Sequence, residues 1–242
     1  MSKLVSISQP AYLPWLGYFD RIAASDLHIV LDHVQLEKRS FTVRNKIRTP
    51  IGWNWLTVPV KTKGKGFDLP INQIEIQNEE NWRKDHFQSI QNAYSKTAFY
   101  KEHSEFFDAF YFKEWHLLAD LCQQQTEYLL GAFNINTPTL FSSSLNSQLF
   151  KDDLILDLCK KVECTTYISG PFGRDYLEEK KFVDAGIKIV YHDYSHPVYR
   201  QRWMPFEPNM SAIDLLFNCG PDSKKILSTT NLKEESMNVR EG

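Results

Sequence analysis

The chain lacks the short motifs that would name its chemistry outright. Its 242 residues hold no G-x-x-x-x-G-K-[ST] loop and no G-x-G-x-x-G turn, so no nucleotide can be assigned from a glycine signature. No serine sits in a G-x-S-x-G context, so no hydrolase triad is implied. The four cysteines, Cys122, Cys159, Cys164 and Cys219, form no C-x-x-C pair, which points away from a zinc site and toward buried free thiols. His86 and His116 each stand without a second histidine four residues on, and no metal is expected. The 28 basic and 30 acidic side chains nearly cancel, to a net charge of -2, giving no overall drive toward nucleic acid or an anionic membrane. No apolar run approaches a membrane span, and Met1 to Val5 carry no secretory pattern. The cytoplasm is the expected address.

What is present is a sequence long enough for a sizeable core, with aromatic residues at 14%. Leu4-Val5-Ser6-Ile7 reads as a buried strand, Tyr18 to Ala24 as a helix, and Leu27 to Asp32 as a second strand: a βαβ unit. A polar segment follows, then Phe41 to Ile47, a turn at Pro50-Ile51-Gly52, and an alternating strand from Trp53 to Val60. Lys61 to Gly66 reads as a mobile basic loop, and Ile71 to Ile76 as another alternating strand. The period then changes to helical, with helices expected at Trp82 to Tyr94, Lys101 to Phe112 and Trp115 to Phe133. The pattern returns to alternation: a strand near Thr139, helix Asp152 to Val162, strand Thr165 to Ser169, helix Asp175 to Asp184, strand Ile187 to His192, and a helix from Ser211 to Phe217. Such order predicts an α/β fold, a Rossmann-like, mostly parallel sheet flanked by helices, with an antiparallel β insertion and a helical middle segment at about 81–135. Residues 1–228 read as one elaborated domain and 229–242 as a polar tail.

In open α/β sheets ligands bind beyond the carboxyl ends of the strands. That rule singles out the loop Gln9-Pro10-Ala11-Tyr12-Leu13-Pro14-Trp15, where Gln9 could orient a polar substrate and Tyr12, Trp15 and Tyr18 could stack on a sugar, base or acyl chain. A proline-braced loop whose rings cap the core is the plain alternative. Asp32 ends the second strand beside it. Basic residues concentrate from Lys38 to Lys65; within Lys38 to Lys46 the alternation places Arg44 and Lys46 on one face with Asn45 between them, suited to gripping a carboxylate or phosphate. A solvated edge strand would look the same. Ser169, Gly170, Gly173 and Asp175 lie where a strand turns into a helix, an arrangement that can hold an anion or simply close a turn under an Asp175 cap. In Tyr191 to Gln201, His196 could move a proton with Asp32 or Asp193 orienting it, while Tyr199 and Gln201 could touch a ligand.

Two resemblances follow from these residues. Trp15-Leu16-Gly17-Tyr18 falls where Rossmann-like nucleotidyltransferases carry H-x-G-H, although Trp15 and Tyr18 are not equivalent cations. More specifically, Gln9-Pro10-x-Tyr12-x-Pro14-Trp15-x-Gly17-Tyr18, Asp32, Lys38-x-x-Phe41-x-x-Arg44-Asn45, Trp55-Leu56-x-x-Pro59, Tyr167-x-Ser169-Gly170-Pro171-x-Gly173-x-Asp175-Tyr176 and His196-Pro197-x-Tyr199-x-Gln201 together resemble the WbqC-like family from about Leu4 to Gly220. Ser8 stands where a histidine is frequent in such proteins. The resemblance implies bacterial surface-polysaccharide (O-antigen type) biosynthesis. Its expected partners are a sugar or nucleotide-sugar intermediate and an acyl or aminoacyl donor, free or carrier-bound. Three roles remain open: a transferase using Asp32 and His196 for proton transfer, a noncatalytic sugar-binding subunit, and a divergent nucleotidyltransferase relative. The resemblance leaves the cofactor open.

Overall fold

Short apolar runs bounded by polar turns make the sheet. In a computed structural model, which describes residues 2–61 and 69–228, β1 (Leu4–Ser8) pairs in parallel with β2 (Leu27–Val30) on one side and β6 (Thr166–Ser169) on the other. Adding β5 (Thr139–Phe141) beyond β2 and β7 (Lys188–Tyr191) beyond β6 gives a five-stranded parallel sheet in the order β5-β2-β1-β6-β7. The chain leaves β1 in one direction and returns to its other side later, so the strand order reverses between β1 and β6. In open α/β sheets a reversal of that kind is where ligands bind, beyond the carboxyl ends of the strands.

Residue alternation sets the two faces. Val5, Ile7, Ile29 and Tyr167 pack with α5 (Lys151–Lys161) and with Phe182 of α6 (Glu179–Asp184). On the opposite face Ser6, Ser8 and His28 form a buried polar seam: Ser6 Oγ lies 2.8 Å from both Ser25 Oγ and His28 Nδ1, and Ser8 Oγ 3.3 Å from His28 Nε2. Burial, with the Arg21 charge adding to it, pushes the His28 imidazole down to about 3, so it is neutral and its ring nitrogens serve the serines. The helix α1 (Leu16–Ala23) covers this seam, and Tyr18 and Phe19 tie it to the helical segment through Phe133.

The insertion is a two-stranded antiparallel hairpin, β3 (Arg44–Thr49) and β4 (Gly52–Thr57), with Gly52 at φ +130°, a conformation that favours glycine. The helical segment follows as α2 (Trp82–Tyr94), α3 (Tyr100–Phe112) and α4 (Leu118–Ala132), whose apolar faces share one large core with the loop after β1. Near the end of the described chain, α7 (Ala212–Cys219) starts at Ser211, whose hydroxyl caps the Ile213 amide, and α8 (Ser223–Leu227) follows.

The expected α/β class, parallel sheet, hairpin and helical middle are all present. Two expected elements differ. Ile71 to Ile76 is no strand: Ile71–Gln73 is a 3-10 turn behind Pro70, because Ile71 and Ile74 are both buried and only the tighter turn points both inward. The helix expected from Asp175 starts at Glu179, because Pro171–Asp175 forms a separate 3-10 turn. The basic loop from Thr62 to Gly66 and the polar tail at 229–242 lie outside the described residues. Among the described residues no helix is long and apolar enough to cross a membrane.

Candidate functional site

The loop after β1 turns most of its rings inward. Tyr12 is fully buried, its hydroxyl 2.8 Å from His86 Nδ1 and 2.6 Å from the Tyr111 hydroxyl. Leu13 holds a left-handed backbone, φ +47°, pinned on both sides by buried amides: its N–H donates to Gln125 Oε1 (2.6 Å) and its carbonyl accepts from Asn45 Nδ2 (2.6 Å). A non-glycine residue persists there only where surroundings over-determine it. Tyr12 and Asn45 therefore brace the loop from within, where direct ligand contact had been expected of them. Tyr18 is also buried, against His28, Phe19 and Trp15, and burial raises its hydroxyl to about 12. Gln9, partly exposed, makes no side-chain hydrogen bond to a described residue and remains free to meet a ligand.

Trp15 takes the outward role. Its ring lies 5.0 Å from Phe41, Phe41 lies 6.2 Å from Trp55, and Trp55 lies 5.8 Å from Trp53. Phe41, Trp53 and Trp55 are each more than a third exposed. The hairpin register places Lys46 opposite Trp55, so Arg44, Lys46, Trp53 and Trp55 share one face. Arg44 sits 4.2 Å above the Trp55 ring, and Lys46 Nζ 4.9 Å from the Trp53 ring. The expectation of Arg44 and Lys46 on one face holds, and rings that sequence spacing did not group with them complete it. Lys38 lies in the exposed turn before the hairpin.

Asp32 and His196 have separate surroundings. Asp32 is buried, and its carboxylate accepts from the Ser142 hydroxyl (2.9 Å), the Ser143 amide (2.9 Å), the Ser143 hydroxyl (2.6 Å) and Asn72 Nδ2 (3.2 Å). His196 packs among Tyr194, Tyr199 and Phe206, with Nδ1 on the Pro197 carbonyl. Asp193, the other proposed orienting acid, is taken by Arg174 in a bidentate pair. The imidazole beside Asp32 is His33. Its Nδ1 lies 2.6 Å from Ser142 Oγ, which gives its single proton to Asp32; Ser142 therefore accepts from His33 Nδ1–H, and the bare nitrogen is Nε2, buried and without a partner. Adjacency in sequence was the available signal for His33, but the organising hydroxyl is 109 residues away.

Tyr199 and Gln201 serve a second buried network. Both donate to Asp214 Oδ2, at 2.8 and 2.7 Å, and Gln201 also bonds the Glu207 backbone. Burial raises Asp214 to about 6 despite these donors. They hold the segment before α7. Ser169 donates to the Gly170 carbonyl, and a side chain at Gly173 would strike Ser169 Oγ, so this turn is closed by its own packing. Asp175 ends that exposed turn, and α6 has no side-chain cap.

Two buried charged residues of α1 gave no signal in the sequence. Asp20 Oδ2 lies 2.7 Å from His192 Nε2 at the end of β7. Arg21 reaches the end of β6, where Nη1 occupies the space a Cβ at Gly170 would take, only 2.4 Å away. Burial pulls its guanidinium below the usual arginine range. Among the described residues no group of three metal-binding side chains occurs. An open cavity of about 460 Å³ lies at the opposite, amino end of the sheet, lined by Asp26, Asn134 to Pro138 and Lys224 among others. It contains none of the residues above.

An uncharacterized protein of Mycobacterium tuberculosis, Rv1507c, is 34% identical over 228 residues, covering 93% of this chain and 97% of the relative. No solved structure matches the chain. Residues 9–226 match the model of the WbqC-like protein family, a span that takes in the β1 loop, the hairpin face, Asp32 and the β6 turn, and the chain belongs to that family.

Proposed function

We propose that this protein is a cytoplasmic transferase acting on an anionic sugar intermediate of bacterial surface-polysaccharide (O-antigen type) assembly, moving an acyl or aminoacyl group onto an amino sugar. The observation that carries the reading is the run of rings from Trp15 through Phe41 to Trp55 and Trp53, flanked by Arg44 and Lys46. Sugar faces stack on such rings, and the two cations suit a carboxylate or phosphate on the same molecule. Proton transfer falls to His33 in this reading. The chain His33 Nδ1–H to Ser142 to Asp32 leaves Nε2 to accept a proton from the amine as it attacks the acyl carbon; the bond from that carbon to the donor's carrier breaks, and the departing carrier group takes the electron pair and the proton from Nε2.

The test titrates the purified protein with a panel of activated amino sugars, then adds acyl and aminoacyl donors and reads the sugar mass. Trp55→Ala and Arg44→Ala should weaken sugar binding at least tenfold. His33→Ala should leave binding intact and lower turnover by about 100-fold or more. No binding by any member of the panel would end the sugar reading. A second reading, a noncatalytic sugar-binding subunit, is favoured by the burial of His33 Nε2. It wins if binding depends on Trp55 and Arg44 while no donor produces turnover and His33→Ala leaves glycan assembly intact.

A further inference from the structure

Two arginines of this protein are almost wholly buried, and they are treated differently. Arg48, 1% exposed, spends its guanidinium on the carbonyls of Thr49, Gly52 and Pro205. Arg21, 8% exposed, makes no hydrogen bond or ion pair to any described residue; its Nε, like that of Arg48, is buried without an acceptor, but its terminal nitrogens have no carbonyls to receive them. A buried charge left unpaired is costly, and folded proteins ordinarily neutralise it with a carboxylate. The carboxylate next to it in sequence, Asp20, is engaged by His192.

Arg21 also stands in a particular place. Its guanidinium crosses the strand-order reversal from α1 to the end of β6 and lies over Gly170, which leaves room for it by having no side chain. Gly170 is half-buried and Tyr176 half-exposed, so the cation lies one layer beneath solvent. The ionisable groups that share its field are the hydroxyls of Tyr18, Tyr167 and Tyr176 and the neutral His28 imidazole. Gln9, with a free amide, begins the loop from β1 on the other side of the reversal. Hydroxyls near a fork of guanidinium donors suit a ligand rich in acceptor oxygens.

We propose that Arg21 anchors a phosphate-binding site at the carboxyl ends of β1 and β6, built for a phosphate or diphosphate group. The bound oxyanion supplies the charge partner that the protein omits, and Gly170 is the residue that admits the guanidinium to it. The inference rests on the sugar-transferase reading only for what the phosphate is attached to.

Isothermal titration of the full chain with pyrophosphate, inorganic phosphate, uridine monophosphate and acetate at constant ionic strength tests it. Pyrophosphate should bind, and acetate should not. Tighter binding of uridine monophosphate than of inorganic phosphate would assign the phosphate to a nucleotide; equal binding would assign it to the phosphate alone. Arg21→Met should lower pyrophosphate affinity at least tenfold while the ligand-free protein melts no lower than wild type, since an unpaired buried charge has been removed. Gly170→Ala keeps the charge and an ordinary backbone, φ -68°, and should lose a similar factor by displacing Nη1. Absence of a pyrophosphate response in wild type, equal binding of acetate, or wild-type affinity in Arg21→Met would overturn the site. Should Arg21→Met fail to fold, Gly170→Ala decides, and unchanged affinity there overturns it. Failure of sugar binding with the pyrophosphate response intact counts against the sugar reading alone, and the converse result against Arg21 alone.

Discussion

Asn45 offers a sharp separation between a residue that touches ligand and one that holds the site. Its side chain is fully buried, with Nδ2 donating to the Leu13 carbonyl at 2.6 Å and Oδ1 accepting from the Lys46 amide at 2.8 Å. Asn45→Ala leaves the Leu13 carbonyl buried and unpaired, at about 1–3 kcal/mol, while the Lys46 amide, nearer to water, loses about 0.5–1.5 kcal/mol. Leu13 then keeps its left-handed backbone with one of its two amide clamps, Gln125, still in place. A total of about 2–4 kcal/mol in a chain of this size lowers the melting temperature by roughly 5–15 °C. Urea and thermal unfolding followed by tryptophan fluorescence would measure it, with sugar binding titrated in parallel. An unchanged unfolding curve together with lost sugar binding would refute the bracing role and return Asn45 to the ligand.

Asp32→Ala removes the acceptor of four hydrogen bonds and should cost about 2–4 kcal/mol; a lost turnover with full stability would show that Asp32 acts on substrate directly. Asp214 is raised in the folded protein from 3.8 to about 6. The protonated form is therefore the favoured one on folding, and its contribution of about 3 kcal/mol is present below pH 4 and lost as pH rises through 6. Asp214→Asn should flatten the dependence of melting temperature on pH across that window, and identical slopes in the two proteins would refute the assignment. At Gly17 an added Cβ would stand 2.9 Å from Tyr194 Cδ1, so Gly17→Ala should destabilise by about 1–3 kcal/mol in urea titrations; wild-type stability would mean that Tyr194 moves freely.

The parallel strands were legible because each is a short apolar run with polar punctuation, and the hairpin because Trp53, Trp55 and Thr57 alternate on one face. Ile71 to Ile76 misled because its isoleucines fit a strand as well as they fit a tight turn, and only the neighbours decide. Val34 O takes the Ile71 amide and Asp32 O takes the Asn72 amide, and only Glu75 and Ile76 pair across, each through a single bridge, to Leu117 and Val60. Tyr12 looked like an outward ring in its polar loop, yet its partners His86 and Tyr111 lie 74 and 99 residues away. Arg21 was silent for the converse reason: a single arginine on an eight-residue helix is ordinarily solvated, and nothing local reveals that Gly170 will receive it.

The buried charges divide by whether the protein completes them. Asp32 and Asp214 are each surrounded by their own donors, and each holds a segment that connects the sheet or helical region to a loop. Structural work of that kind needs every bond made within the chain, because an unsatisfied buried group costs as much as several good contacts return. Arg21 and His33 Nε2 depart from the pattern, as does His196 Nε2, and the first two lie near the ends of β6 and β2. Local incompleteness that the rest of the fold must offset is where function is expected to concentrate. By that criterion Arg21, His33 Nε2 and His196 Nε2 are the groups to substitute first when ligand binding and turnover are measured, with Asp32, whose own bonds are complete, as the structural control.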